Sequence, residues 1–266
     1  MKGESSTTSH RDDTAVAYQT AVERVVCHMK AHLDEPLDLD QLAQIAAISK
    51  FHFVRVFDEV TGTTPHHFLA CLRMQRAKEL LLTSASSITE ICLEVGYTSL
   101  GSFSKTFANL VGVAPQDFRA MPKRLNAKLF ARAVWRYLTS PQPVPEPLLE
   151  GLVEGPPRPR GFIFVGTFAG GVPQGVPCSG TVLLRQGVFR IQRPPTAEFH
   201  LLAVLVPFSA TMTAIAANLP VGLVAGLRVQ SPGPTGSVKP CLRLRPVRPT
   251  DPPIVLAFPA LPALLG

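Results

Sequence analysis

A chain of 266 residues, 46% of them apolar and 17% charged, is long enough for two ordinary globular domains and lacks the composition of a disordered or fibrous protein. The formal charge of +7 is unevenly placed: residues 1–124 carry thirteen basic against fourteen acidic side chains, and residues 125–266 thirteen against five. Bulk charge therefore gives the first half no case as a nucleic-acid binder, and any such case has to rest on local arrangement.

The first twenty residues, MKGESSTTSHRDDTAVAYQT, hold no apolar run after their charges, so a secretory signal is not expected and the cytoplasm is the expected location. Cys27, Cys71, Cys92, Cys178 and Cys241 are odd in number and in no metal-ligand spacing. They read as reduced thiols packed as small hydrophobes rather than as a disulfide framework.

Residues 1–13 are expected to be disordered. From residue 14 to 33, Ala17, Val22, Val25, Val26, Met29 and Leu33 fall at helical spacing, and Asp34, Glu35 and Pro36 stop the helix they predict. Asp38 offers an N-cap before LDQLAQIAA, and Ser49 another before KFHFVRVFDEVTG. Two short helices joined by a tight turn make a helix-turn-helix.

The same punctuation then returns fifty residues later. Ser49 recurs as Ser99, Phe53 as Phe103, Phe57 as Phe107, Gly62 as Gly112, Pro65 as Pro115 and Phe68 as Phe118. Physical reasons account for each member, since the serine caps a helix, the two phenylalanines share one face, the glycine ends the helix and the proline begins the next. One three-dimensional unit has been written twice. Between the copies, PHHFLACLRMQRAKELLLTS predicts a helix of about 18 residues and ~27 Å, a rod that could hold two recognition helices near one DNA turn apart, ~34 Å.

The segment from LDLDQLAQIAAISKFHFVRVFDEVTGTTPHHFLACLRMQRAKELL to SSITEICLEVGYTSLGSFSKTFANLVGVAPQDFR resembles the AraC/XylS family DNA-binding domain, over about 100 residues. ITEIC, the EVGY turn, SFSKTF and GVAPQDFR stand in that family's order. The resemblance implies that the helices after Ser49 and Ser99 are the recognition helices, and that double-stranded DNA is the partner. Base contacts are then expected from Phe51, His52, Val54, Arg55, Leu100, Gly101, Ser102 and Lys105, and phosphate contacts from Ser49, Lys50, Thr98, Ser99 and Ser104. Arg55 can form a fork to guanine, whereas Leu100 and Gly101 have no hydrogen-bonding side chain and Lys105 cannot make the fork, so the second unit should read sequence less well. Set against this, Arg55 could simply pair with Asp58 or Glu59 on its own helix. His66 and His67 sit side by side without a third ligand and read as exposed or capping residues.

Composition shifts after residue 124. Leu125, Leu129, Phe130, Val134, Tyr137 and Leu138 suggest a further helix, and PQPVPEP and GPPRPRG complete a proline-rich linker over 125–160. Residues 161–258 alternate short β-rich runs with turn residues: GFIFVGTF, TVLLRQ, GVFRIQ, EFHLLAVLVPF, GLVAGLRVQ, CLRLRP and PIVLAF. About seven strands in an antiparallel β-sandwich are predicted, with a short tail over 259–266. The uncharged stretch from 199 to 227 is long enough to cross a bilayer, yet Pro207, Asn218 and Pro220 interrupt it, favouring a buried strand, turn and strand.

The expected fold class is thus multidomain, α then β, with an all-α double helix-turn-helix domain over 14–124 and a sandwich over 161–258. The expected function is transcription regulation at the nucleoid, with the sandwich sensing an unidentified small-molecule effector or a partner. RNA polymerase and a second copy of the chain are further candidate partners. The competing reading is a DNA-repair or other enzyme with Cys178 or Cys241 as nucleophile, but neither cysteine has a general base placed beside it in the sequence. No phosphate loop, zinc spacing or hydrolase elbow occurs, so no cofactor is expected.

Overall fold

The computed structural model describes residues 5–124, 144, 146–211, 214, 222–230 and 239–256, with side chains in the first stretch from 13 to 121. Seven helices precede seven strands among these residues: α1 (Ser5–Ala31), α2 (Leu39–Ala46), α3 (Lys50–Thr61), α4 (Pro65–Thr83), α5 (Ile88–Glu94), α6 (Leu100–Val111) and α7 (Pro115–Arg124), then β1 (Leu148–Glu154), β2 (Gly161–Phe168), β3 (Ser179–Leu183), β4 (Gly187–Gln192), β5 (Glu198–Pro207), β6 (Leu223–Gln230) and β7 (Cys241–Arg243).

The fifty-residue repeat is realised in space. α3 and α6 have bounds fifty residues apart, as do the starts of α4 and α7 at Pro65 and Pro115. Both recognition-helix candidates end in a left-handed glycine, Gly62 at φ 75° and Gly112 at φ 93°, where no β-carbon opposes the turn. The turn before each differs. The second unit places Gly96 at φ 79°, but the first places Ala47 there at φ 58°, a conformation that L side chains adopt at a cost.

Each unit has its own apolar core, and α4 is divided between them. Its Phe68, Leu69 and Leu72 pack with Val22, Val25, Val26 and Met29 of α1 and with Phe53 and Phe57 of α3. Its Cys71, Met74, Ala77 and Leu81 pack with Phe103, Phe107 and Phe118. The paired phenylalanines are wholly buried in both units and meet edge to face, with Phe57 and Phe68 centroids 5.4 Å apart and Phe107 and Phe118 5.6 Å apart. Arg73, on the same helix, donates to the carbonyls of Leu33 and Glu35 at 2.8 Å each and lies 5.7 Å from the Tyr97 ring centroid. It links the turn after α1 in the first unit to the second unit.

The C-terminal part holds a four-stranded antiparallel sheet, β3-β2-β5-β6, and a three-stranded sheet, β4-β1-β7. β1 pairs antiparallel with β4 but parallel with β7. One core contains residues of both sheets, among them Leu149, Val153, Phe189 and Leu242 on one and Ile163, Val165, Phe199 and Leu201 on the other. β5 and β6 pair over eight residues, so the uncharged stretch begins and ends as the expected strands. Among the described residues no helix is long and apolar enough to cross a membrane.

Four expectations need correction. α1 starts at Ser5, within the segment read as disordered, because neither glycine nor proline interrupts the chain from there to Ala31. β1, at the centre of its sheet, lies inside the segment read as linker: its alternating burial is masked in the sequence by the surrounding prolines. PIVLAF forms no strand over its described residues 253–256; Ile254, Val255 and Leu256 are buried by packing instead. The β-rich part is not purely antiparallel, because β7 runs alongside β1. The helix expected over Leu125–Leu138 and the tail over 259–266 lie outside the described residues.

Candidate nucleic-acid interface

On α3 the buried Phe53 and Phe57 turn the opposite side outward. Phe51 is 90% exposed there. The Arg55 side chain is 68% exposed, with Nη2 3.1 Å from Nδ1 of His52 and Nε 3.9 Å from Glu59 Oε1. The pairing weighed against a DNA role is therefore present, but at a distance and exposure that give it little strength. His52 is half-buried and held by the Tyr18 hydroxyl at 2.8 Å. Val54 is half-buried against the first core, so the residues expected to face outward divide: Phe51 and Arg55 do, while Val54 packs. Lys50 is exposed and pairs with Asp40 at 2.8 Å.

On α6 the same geometry recurs with different chemistry. Leu100 is 44% exposed, Gly101, Ser102 and Lys105 are exposed, and Ser104 is intermediate. Ser99 caps the helix by accepting from Ser102 N at 3.4 Å, and Ser102 Oγ donates to the Ser99 carbonyl at 2.9 Å. Ser49, its counterpart, makes no side-chain capping bond. The expectation that both serines cap thus holds for Ser99 only, and the exposed Ser49 hydroxyl is left to the solvent side. Thr98 is exposed beside Ser99.

Among the other candidates, Cys71 and Cys92 are buried, but Cys27, Cys178 and Cys241 are exposed, which corrects the reading of all five as packed hydrophobes. Burial pushes the Cys71 thiol up to about 12. Desolvation and then the nearby Glu154 carboxylate raise the Cys241 thiol, opposite to what an activated nucleophile needs. His67 lies 2.9 Å from Gln174 Oε1. Among the described residues no group of three or more His, Cys, Asp or Glu could hold a metal ion.

Sequence reasoning does not single out Tyr18, Arg73 or Lys78. Tyr18 orients His52. Lys78 is fully buried, and its Nζ donates to the Leu256 carbonyl at 3.1 Å. Only a lysine lying in an otherwise apolar helical stripe could have signalled it.

Two helix-turn-helix units on one shared helix, each with an exposed face on its second helix, define a DNA-binding domain of the helix-turn-helix class. Comparison with known proteins agrees with that domain class. Residues 42–121 match the model of a helix-turn-helix domain. HTH-type transcriptional regulator GbdR of Pseudomonas aeruginosa is 34% identical over 101 residues, covering 38% of this chain and 28% of that protein. The MmsAB operon regulatory protein of the same species is 38% identical over 93 residues, covering 35% and 30%.

Two solved structures also align. One is a transcriptional regulator with an AraC-type DNA-binding domain from Chromobacterium violaceum, at 33% identity, 39% and 92% coverage and a TM-score of 0.38. The other is the DNA-binding domain of AdpA in complex with a target DNA, at 31% identity, 39% and 93% coverage and a TM-score of 0.38. Residues 42–121 are thus a helix-turn-helix domain of the AraC type. The chain spans less than a third of the length of the curated relatives GbdR and the MmsAB regulator.

Proposed function

We propose that the chain is a transcription regulator that lays α3 and α6 into successive major grooves of one duplex, with the β-rich part acting as a sandwich-type sensor of a small molecule or a partner. The observation that carries the DNA reading is the exposure of equivalent helix faces in the presence of the C-terminal part. Phe51, Arg55, Leu100 and Lys105 stay open, although the β-rich part is docked against the C-terminal ends of the same two helices. A helix of 19 residues is about 28 Å long, comparable with the ~34 Å between successive major grooves on one face.

Arg55 supplies sequence reading through a guanine fork, and Lys105 adds a less discriminating contact. Ser49, Lys50, Thr98, Ser99 and Ser104 meet phosphates near the two helix N-termini. The sensing reading draws on a cleft of about 550 Å³ between the C-terminal turn of α3 and strands β5 and β6, with Asp58, Thr61, His200 and Arg228 among its lining residues. That volume suits a small molecule.

A mobility assay on fragments selected from genomic DNA tests the reading. Arg55→Ala should cost at least ~10-fold on the selected sequence and little on a scrambled one, while Lys105→Ala should weaken both alike and lower the salt slope by about one. The reverse order would reject the assignment. Repeating the selection with candidate metabolites tests the sensor.

A further inference from the structure

The two helix-turn-helix units share α4 and the Arg73 bridge, and their cores are otherwise separate. Two short segments of the C-terminal part join them again, and each touches both units. The first is 170–175, between β2 and β3. Gly171 lies so close to the Gly62 carbonyl that a β-carbon would not fit between them, which fixes the segment to the end of α3. Val172 enters the second unit's core beside Phe103, Phe107 and Phe118. Gln174 lies 2.9 Å from His67 at the start of α4, and Gly175 N donates to the Leu110 carbonyl at 2.7 Å near the end of α6.

The second segment is 250–256. Thr250 Oγ1 accepts from Gln19 of α1 at 2.8 Å, on the first unit. Val255 belongs to the second unit's core, and the Leu256 carbonyl accepts from buried Lys78. Val255 N donates to the Pro173 carbonyl at 3.1 Å, so the two segments also hold each other.

A shared helix resists bending but leaves rotation of one unit against the other to the joints at its ends. Ties from a third body to both units oppose that rotation, and two of them, at Gly171 and Gly175, sit at equivalent points, the C-terminal ends of α3 and α6. We propose that segments 170–175 and 250–256 are positioning elements for DNA recognition: by holding α3 and α6 in one mutual orientation, they set the number of base pairs the protein accepts between its two subsites. This rests on the reading that both helices enter the groove. It makes the C-terminal part a determinant of DNA specificity that touches no base.

The test uses the full chain and a duplex carrying the selected pair of subsites, with zero, one or two base pairs inserted between them. Each insertion moves the second subsite by about 3.4 Å and turns it by about 35°. The unaltered protein should lose about tenfold or more in affinity on the first insertion, as the second unit's contacts are given up. Gly171→Val, Val172→Ala and Gln174→Ala should each reduce that penalty to about threefold or less, with cooperative melting showing that the variant is folded. Gly170→Ala, whose β-carbon would meet open space, should keep the original profile.

If Gly171→Val fails to fold, the two milder variants still decide the matter. Variants that weaken all three duplexes equally, or that keep the full penalty, overturn the positioning role while leaving DNA binding intact. A full-length protein that binds no duplex through Arg55 defeats the groove reading first, which the spacing series distinguishes because no duplex then shows any preference.

Discussion

Lys78 Nζ donates to the Leu256 carbonyl at 3.1 Å and lies 5.7 Å from the Phe118 ring centroid, wholly out of solvent. An ammonium so placed joins the end of the described chain to α4, yet it has lost its hydration for a single carbonyl.

Burial accordingly lowers the Lys78 pKa to about 7, partly opposed by the Glu79 carboxylate. In the unfolded chain lysine stays protonated to about 10.4. Between those values the unfolded state holds more protons, so this residue makes stability rise with pH from about 7 to about 10.4, while below about 7 its penalty is complete and constant. Lys78→Met should raise the urea midpoint near pH 7 and remove up to ~1.4 kcal/mol per pH unit of slope above it. Parallel stability curves for the two proteins across that range would contradict this.

The turns of the two units give a paired prediction. Ala47 occupies the left-handed conformation that Gly96 occupies in the other copy. Ala47→Gly should stabilise by about 0.5–1 kcal/mol. Gly96→Ala should destabilise by more than that, because its β-carbon would collide with the Leu33 carbonyl and stand 2.7 Å from Arg73 Nη2. Chemical denaturation of the two variants settles the signs.

Two phenylalanines separate folding from recognition. Phe107 is fully buried and Phe51 is 90% exposed. Phe107→Ala should cost ~3–5 kcal/mol of stability. Phe51→Ala should change stability by no more than about 0.5 kcal/mol and show its effect in DNA affinity. Equal stability losses would mean that Phe51 belongs to a core after all.

The serine caps should also part company. Ser99→Ala removes a bond to the Ser102 amide and should cost about 1 kcal/mol, whereas Ser49→Ala, lacking such a bond, should cost less than half of that. Thermal melting measures the difference, and a Ser49→Ala loss as large as that of Ser99→Ala would count against the geometry described for α3.

The double unit was legible from residues alone because helix ends and buried faces obey local rules. Gly62 and Gly112 end helices by backbone freedom, Pro65 and Pro115 start them, and Phe53, Phe57, Phe103 and Phe107 recur at one helical spacing, so chain order fixes their meaning. β1 escaped because a strand is completed by partners far along the chain: its neighbours β4 and β7 begin at residues 187 and 241, and nothing within 148–154 states that pairing. The exposed face proposed for recognition could be read as two candidate helices, but the packing of Val54 and the grip of Tyr18 on His52 depend on α1 lying against α3.

The amino-acid order by itself determined the repeat, its helix ends and the helix-turn-helix type of the helical part, all consequences of interactions within a few turns of helix. Only the tertiary structure decided that Gly171 meets Gly62, that Gly175 meets Leu110 and that Lys78 is sealed beneath Leu256. Those contacts join residues between 65 and 178 positions apart, where burial and close approach, rather than local backbone preference, choose the partner.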